Sequence, residues 1–256
     1  MQLKDKVAVV TGSGNGIGEA IARRFVAEGA KVVITDIDAD AVARVAASLG
    51  TVGLAVDITV EDNVKKVADL ARSTYGEIDV WHSNAGYAGP PQPGDLQEDK
   101  YWDLEWKLHV LSHLYAAREV LPSMIERGDG YLLQTASVVS LSIQPDKAAY
   151  SVTKHAALAL SEWLAVHNRP KGIKVSCFCP GPMLTNMLLS NGFPDDHPVL
   201  GMALTPDQVA DVVTKGIAAE RFIITTMADD EKVLIEKGTD YDAWLGTVTQ
   251  RIADMK

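Results

Sequence analysis

Six short β-branched runs alternate with helix-length stretches along this sequence: VAVVT at 7–11, KVVITD at 31–36, VGLAVD at 52–57, IDVWHSN at 78–84, YLLQTAS at 131–137 and IKVSCFC at 173–179. Several are apolar at consecutive positions, the pattern of strands covered on both faces. Strands separated by helices pair in parallel, through right-handed crossovers, because each helix carries the chain back across the sheet. The expectation is an α/β fold with a doubly wound parallel sheet flanked by helices, completed to seven strands by a short run at RFIITT, 221–226. With 256 residues, 47% of them hydrophobic, the chain can build one substantial core but not two comfortable ones, so 1–256 is expected to be a single domain. The Pro-rich patch GPPQPGD at 89–95 is expected to be a loop after the fourth strand.

Composition then removes whole classes of function. A net charge of -10 with no basic stripe argues against nucleic acid or an anionic membrane as partner. No window of eighteen apolar residues could span a bilayer. The first residues, MQLKDKVAVVTG, carry charges where a signal peptide needs an apolar stretch, and the expected location is cytoplasmic. Cys177 and Cys179 would share one face of a strand and are expected to be reduced; no metal site is expected.

In open sheets of this kind ligands bind beyond the carboxyl ends of the strands. The first strand ends in TGSGNGIG, which crowds Gly12, Gly14, Gly16 and Gly18 around Asn15 and Ile17 at the start of a helix. So many glycines cost backbone entropy, and a plain turn needs one or two. A pyrophosphate, meeting bare N–H groups and the positive end of a helix dipole, would explain the rest. Eighteen residues after Gly18, Asp36 ends the second strand, where a carboxylate can accept from both hydroxyls of an adenosine ribose and would repel a 2′-phosphate. With Ile37 following and no Arg or Lys among Ser13, Gly14 and Asn15, the cofactor favoured is NAD over NADP. Asp36 could equally be an ordinary turn residue, and Asp57, placed to accept from the adenine amino group, could be a helix cap.

Further along, SNAG at 83–86, Ser137, YSVTK at 150–154 and PGPMLT at 180–185 stand in order behind the glycine turn. With TGSGNGIG they make the chain resemble the short-chain dehydrogenase/reductase family across roughly residues 5–226. The resemblance implies a Rossmann fold and hydride transfer between NAD and a carbonyl or secondary alcohol. It implies catalytic roles for Ser137, Tyr150 and Lys154. The implied cofactor contacts are the glycine turn, Asp36, Ile37, Asp57, Ile58, Asn84, Ala85, Gly86, Tyr150, Lys154, Pro180, Gly181 and Thr185, the last alternatively a helix N-cap. It also implies a homodimer or homotetramer built on long helices around 101–126 and 150–168.

The chemistry can be argued from the residues alone. Tyr150 and Lys154 lie one turn apart on a helix face. A phenol ionises near pH 10, so a base working near neutrality needs a shift of about three units, or about 4 kcal/mol. An ammonium at about 4 Å supplies about 1 kcal/mol in water and about 4 at an effective dielectric near 20, so the pair works only when partly dried. Ser137 would donate to the substrate oxygen and hold it near Tyr150.

One family position departs from the pattern. Thirteen residues before Pro122, where the family usually carries an Asn that helps hold a water near the lysine, this sequence has His109. Either His109 takes over the proton relay, or it is a packed core histidine. The segment 186–204 carries Met187, Leu188, Leu189, Phe193, Leu200 and Met202 without a clean period and is expected to be a lid over an apolar pocket, or else packing for the domain or a subunit interface. Tyr87, Gln144, Met183 and Met187 would flank the substrate, a hydrophobic alcohol or ketone. The tail, 227–256, is expected to be a charged helix with an apolar stripe at Leu234, Trp244, Leu245 and Val248. An NAD-binding regulator with faded chemistry, or an epimerase or dehydratase, are the alternative functions.

Overall fold

The computed structural model describes residues 1–92, 97–190, 192–227 and 229–254. Residues 93–95 of the expected loop, position 191 of the expected lid, and positions 228, 255 and 256 of the tail lie outside the described residues. Seven strands form one parallel sheet: β1 Val7–Thr11, β2 Lys31–Asp36, β3 Val52–Ala55, β4 Val80–Ser83, β5 Gly130–Thr135, β6 Ile173–Cys179 and β7 Ile223–Thr225. Their order across the sheet is β3-β2-β1-β4-β5-β6-β7. β1 thus lies between β2 and β4, and the chain reverses direction across the sheet there, which opens a crevice at the carboxyl edge.

The helices cover both faces. On one side α1 Gly16–Ala27, α2 Ala39–Leu49 and α9 Pro206–Ala218 pack Phe25, Val45, Val213 and Ile217 against Val10, Ile34 and Ile224 of the sheet. On the other, α3 Glu61–Tyr75, α5 Ser112–Arg127 and α6 Ala148–Asn168 pack Val67, Ala117, Val120 and Leu164 against Val9, Trp81 and Leu132. Burial on both faces of β1, β4, β5 and β6 explains the apolar runs there.

Strand ends differ from the sequence reading by a residue or two, for local reasons. β3 stops at Ala55 because Asp57 folds back, its Oδ1 accepting from Thr59 N at 2.9 Å. β5 stops at Thr135 because Ser137 caps a single 3₁₀ turn, Val138–Ser140, with its Oγ accepting from Val139 N at 3.2 Å. The helix expected at 101–126 is α4 Asp99–Trp106 running into α5 through a π turn at Lys107–Leu111. The expected lid contains two short helices, α7 Asn186–Leu189 and α8 Pro198–Met202. The tail is two helices rather than one, α10 Lys232–Thr239 and α11 Tyr241–Asp254, parted at the extended Asp240. Of its expected apolar stripe Trp244 is buried, Leu234 and Leu245 are exposed and Val248 is half-buried, so the stripe is only partly covered.

Candidate active site

The crevice is fastened by Thr11. Its hydroxyl accepts from Asn84 N at 2.9 Å and Ala85 N at 3.0 Å, while the Asn84 carboxamide donates to Thr11 O at 2.9 Å. The glycine turn fits against this clasp with no space to spare. Gly12 takes φ +63°, and a Cβ there would lie 2.7 Å from Ala85 Cα; a Cβ at Gly18 would lie 2.0 Å from Gly12 O. Asn15 precedes α1 in extended conformation without a side-chain cap, leaving the leading N–H groups of that helix to an anion. Thr185 reaches the same turn, within 3.5 Å of where a Gly16 Cβ would stand; it occupies the N-cap position of α7 but makes no side-chain cap. Gly181 N donates to Thr226 Oγ1 at 2.8 Å and Pro180 O accepts from Val138 N at 2.8 Å, which ties the segment before Thr185 to β7 and to the turn after Ser137.

At the end of β2 the Asp36 carboxylate accepts from Gly14 N at 2.9 Å and Asp38 N at 3.3 Å, with Ile37 exposed beside it. Each oxygen keeps acceptor capacity for a ribose hydroxyl. Ile58 turns its side chain into the core. One cation near the turn escaped the sequence reading: Arg44, on α2, donates to Gly14 O at 2.7 Å and pairs with Glu19 at 2.8 Å.

α6 brings Tyr150 and Lys154 to the carboxyl ends of β4 and β5. Lys154 is buried; its Nζ donates to Thr135 O at 3.0 Å and stands 5.6 Å from the centroid of the Tyr150 ring. Burial pulls this amine down to about 8, with Cys177, Glu105 and Cys179 acting against the fall. Tyr150 moves the other way. Burial pushes the phenol above its usual value; the Ser137 hydroxyl bonded to it pulls it down, and the Glu105 carboxylate pushes it up further. In this chain by itself, then, the lowering of the phenol expected from Lys154 does not appear, because the desolvation it would overcome is larger than the pull of a cation this far away.

His109 sits on the π turn, fully buried, its ring edge-on to Tyr150 with centroids 5.6 Å apart. Nε2 accepts from Tyr87 N at 3.2 Å and Nδ1 meets Thr153 Oγ1 at 2.9 Å, so both nitrogens are engaged. Burial, Lys154 and His113 keep it neutral, well below its ordinary value. Gly86 borders the same space, a Cβ there lying 3.6 Å from both His109 Nε2 and Lys154 Nζ.

Of the expected substrate residues, Tyr87 is partly exposed on the loop after β4, Met187 is exposed on α7, and Met183 pairs with Leu204 and rests on the core. Gln144 lies elsewhere, in a groove of about 430 Å³ between α6 and the C-terminal helices lined by Val152, His155, Trp244 and Leu245. There Lys237 lies 4.4 Å over the Trp244 ring and donates to Leu141 O at 3.2 Å, one residue past the serine turn. Cys177 and Cys179 are buried free thiols with sulfurs 3.8 Å apart.

Two buried residues were overlooked. Glu105 and His113 flank His109 at four-residue spacing, and both are fully buried. The signal was present in the sequence as three polar residues one turn apart on the apolar face of DLEWKLHVLSHLYAA.

Comparison with known proteins places these features. The family model for short chain dehydrogenases matches residues 6–192. A 1-deoxy-11-beta-hydroxypentalenate dehydrogenase of Streptomyces exfoliatus is 34% identical over 247 residues, covering 90% of this chain and 86% of the relative. A 3-ketoacyl-(acyl-carrier-protein) reductase of Brucella melitensis, solved with NADH, superposes with TM-score 0.81 at 29% identity, covering 87% of this chain and 97% of that one. An L-sorbose reductase of Gluconobacter frateurii, solved with NADPH and L-sorbose, gives 0.78 at 27%, covering 88% and 95%.

The depressed amine has a stability signature. Below about pH 8 Lys154 is charged in both folded and unfolded chains, and the cost of burying the charge is fully present; it is relieved as pH rises from about 8 to the ordinary lysine value of 10.5. Measured by denaturant unfolding, the stability of Lys154→Met relative to the parent should therefore fall by up to about 3 kcal/mol between those limits. A difference that stays flat across that window would refute the depressed amine.

Proposed function

This chain belongs to the short chain dehydrogenase family, and from that premise we propose that it is an NAD-dependent oxidoreductase acting on a hydrophobic secondary alcohol or the matching ketone, with Tyr150 as general acid and base. The observation that carries the reading is the convergence of Ser137, Tyr150 and Lys154 beside a glycine turn that a Cβ would fill. Bound NAD would supply the hydride acceptor. The chain's own residues do the rest. Ser137 Oγ accepts from Val139 N, so its hydrogen is free to turn toward Tyr150 or a substrate oxygen. Tyr150 gives or takes the hydroxyl proton at its phenolic oxygen. Lys154, pinned on Thr135 O, places a cation behind the phenol. The uncapped start of α1 would hold the pyrophosphate, and Thr185 would face the nicotinamide end.

The choice of NAD rests on the Asp36 carboxylate, since the similar structures hold NADH in one case and NADPH in another. Arg44 is occupied by Glu19 and Gly14 O and does not offset that charge. An apolar substrate fits the Met183 and Met187 side of the site, and the named activity of the Streptomyces relative, on a hydroxypentalenate, agrees with one. A second copy of the chain is the proposed partner for α4 and α6, which leave Trp106, Val152, Trp163 and Val166 exposed; buried free thiols suit a cytoplasmic setting. Nucleic acid and membrane partners are not proposed.

Three measurements test this. NADH should form on a panel of hydrophobic secondary alcohols at mildly alkaline pH, and Tyr150→Phe should lose about 10²–10⁴ of kcat with NAD binding retained; silence across the panel would remove the reading. Asp36→Asn should raise KM for NAD by about tenfold, the weight of one charge-assisted bond, and bring NADP into use; an unchanged preference would place selection elsewhere. Trp163→Glu should lower the sedimenting mass of the assembly without unfolding the monomer, and an unchanged mass would exclude this face.

A further inference from the structure

Arg44 brings a guanidinium to the edge of the sheet that Asp36 closes, and Gly14 stands between the two. Gly14 N donates to Asp36 Oδ2 at 2.9 Å, and Gly14 O accepts from Arg44 Nη2 at 2.7 Å. A Cβ at Gly14 would lie 2.9 Å from both Ala41 Cβ and Asp36 Oδ2, and Arg44 follows Ala41 by one turn of α2. More than half of the Arg44 side chain is exposed. A guanidinium meets phosphate oxygens with two parallel N–H bonds and is the side chain best shaped to do so. By position alone, this edge could hold a phosphorylated ribose.

Glu19, in the first turn of α1, uses up that capacity. Its Oε2 accepts from Arg44 Nη2 at 2.8 Å and its Oε1 from Arg44 Nη1 at 3.2 Å, a two-pronged pair on N–H groups that a phosphate would take. The same Oε1 accepts from Arg23 Nη2 at 2.7 Å, and Arg23 Nη1 lies 3.6 Å from Asp207 on α9, so the carboxylate is held from two helices. The hydrogen bond from Arg44 leads in keeping the Glu19 carboxyl below its ordinary value, against burial and with help from Arg23. Asp38, the other carboxylate close by, caps α2, its Oδ1 accepting from Asp40 N and Ala41 N at 3.0 Å each. A partly exposed ion pair adds little to stability. Its larger effect falls on what else the guanidinium can meet.

Building on the reading that this edge receives the adenosine ribose of NAD, we propose that Glu19 is a second specificity-determining residue against NADP: it holds Arg44 on the glycine turn and so keeps that guanidinium from a 2′-phosphate. Asp36 repels the phosphate directly, and Glu19 withdraws the cation that would offset the repulsion. Discrimination is a difference between two affinities, and denying a contact to the wrong ligand widens it as surely as adding one for the right ligand. Removing Asp36 alone therefore opens the edge only in part, because Arg44 stays engaged.

The test titrates the full-length protein calorimetrically with NAD and with NADP and compares the ratio of the two dissociation constants among variants, so that any loosening of the turn common to both ligands cancels. In the Asp36→Asn background, Glu19→Gln should shift that ratio toward NADP by about tenfold, the scale of one hydrogen bond to a charged group. In the Asp36→Asn/Arg44→Met background the same change should shift it by less than about threefold, the effect of removing one screened surface charge. Equal shifts in the two backgrounds overturn the proposal, since repulsion from Glu19 through space would act alike with or without the guanidinium. No shift in either overturns it too. Arg44→Gln replaces Arg44→Met should the latter not fold. A parent that binds neither nucleotide removes the cofactor reading and this proposal with it, whereas a parent that binds NAD, with the ratio unmoved by Glu19→Gln, removes this proposal alone.

Discussion

The clasp between the ends of β1 and β4 is the constraint from which the site follows. One hydroxyl, Thr11 Oγ1, takes two backbone N–H groups from the neighbouring loop, and the Asn84 carboxamide returns a bond to the Thr11 carbonyl. Strand order reverses here, so the two loops leave the sheet in opposite directions and would otherwise part. Held together, they bring the glycine turn against Ala85 so closely that Gly12 and Gly18 have no space for a side chain.

Burial at this edge sets the chemistry as much as the choice of residues does. Lys154 is drawn down and Tyr150 driven up by the same loss of water, so two groups of nearly equal acidity when free are pushed apart. The favourable geometry of a cation one helical turn from a phenol is therefore only part of the account. Ser137, bonded to the phenol, acts against the rise directly, while His109 packs edge-on to the ring with both nitrogens hydrogen-bonded.

The sheet was legible because its strands are buried on both faces: β1, β2 and β6 coincide with their apolar runs. The misjudged ends fall where a side chain recaptures its own backbone, at Asp57 and Ser137, a decision made by hydrogen bonds that hydrophobic period does not register. The glycine turn and the Tyr150–Lys154 spacing were equally readable, since each is a local pattern. Glu105 was not, although it stands four residues from a histidine that drew notice, because its hydrogen-bond partner comes from the loop after β4. The π turn hid it further, since a helix of regular pitch is what a sequence pattern assumes.

Lys237 joins the C-terminal helices to the carbonyl of Leu141, immediately beyond the turn that presents Ser137, and rests on the Trp244 ring as it does so. That ties the C-terminal helices to the carboxyl edge of the sheet. Anything that lifts α10 and α11 away from α6 breaks this tie to the segment that follows Ser137.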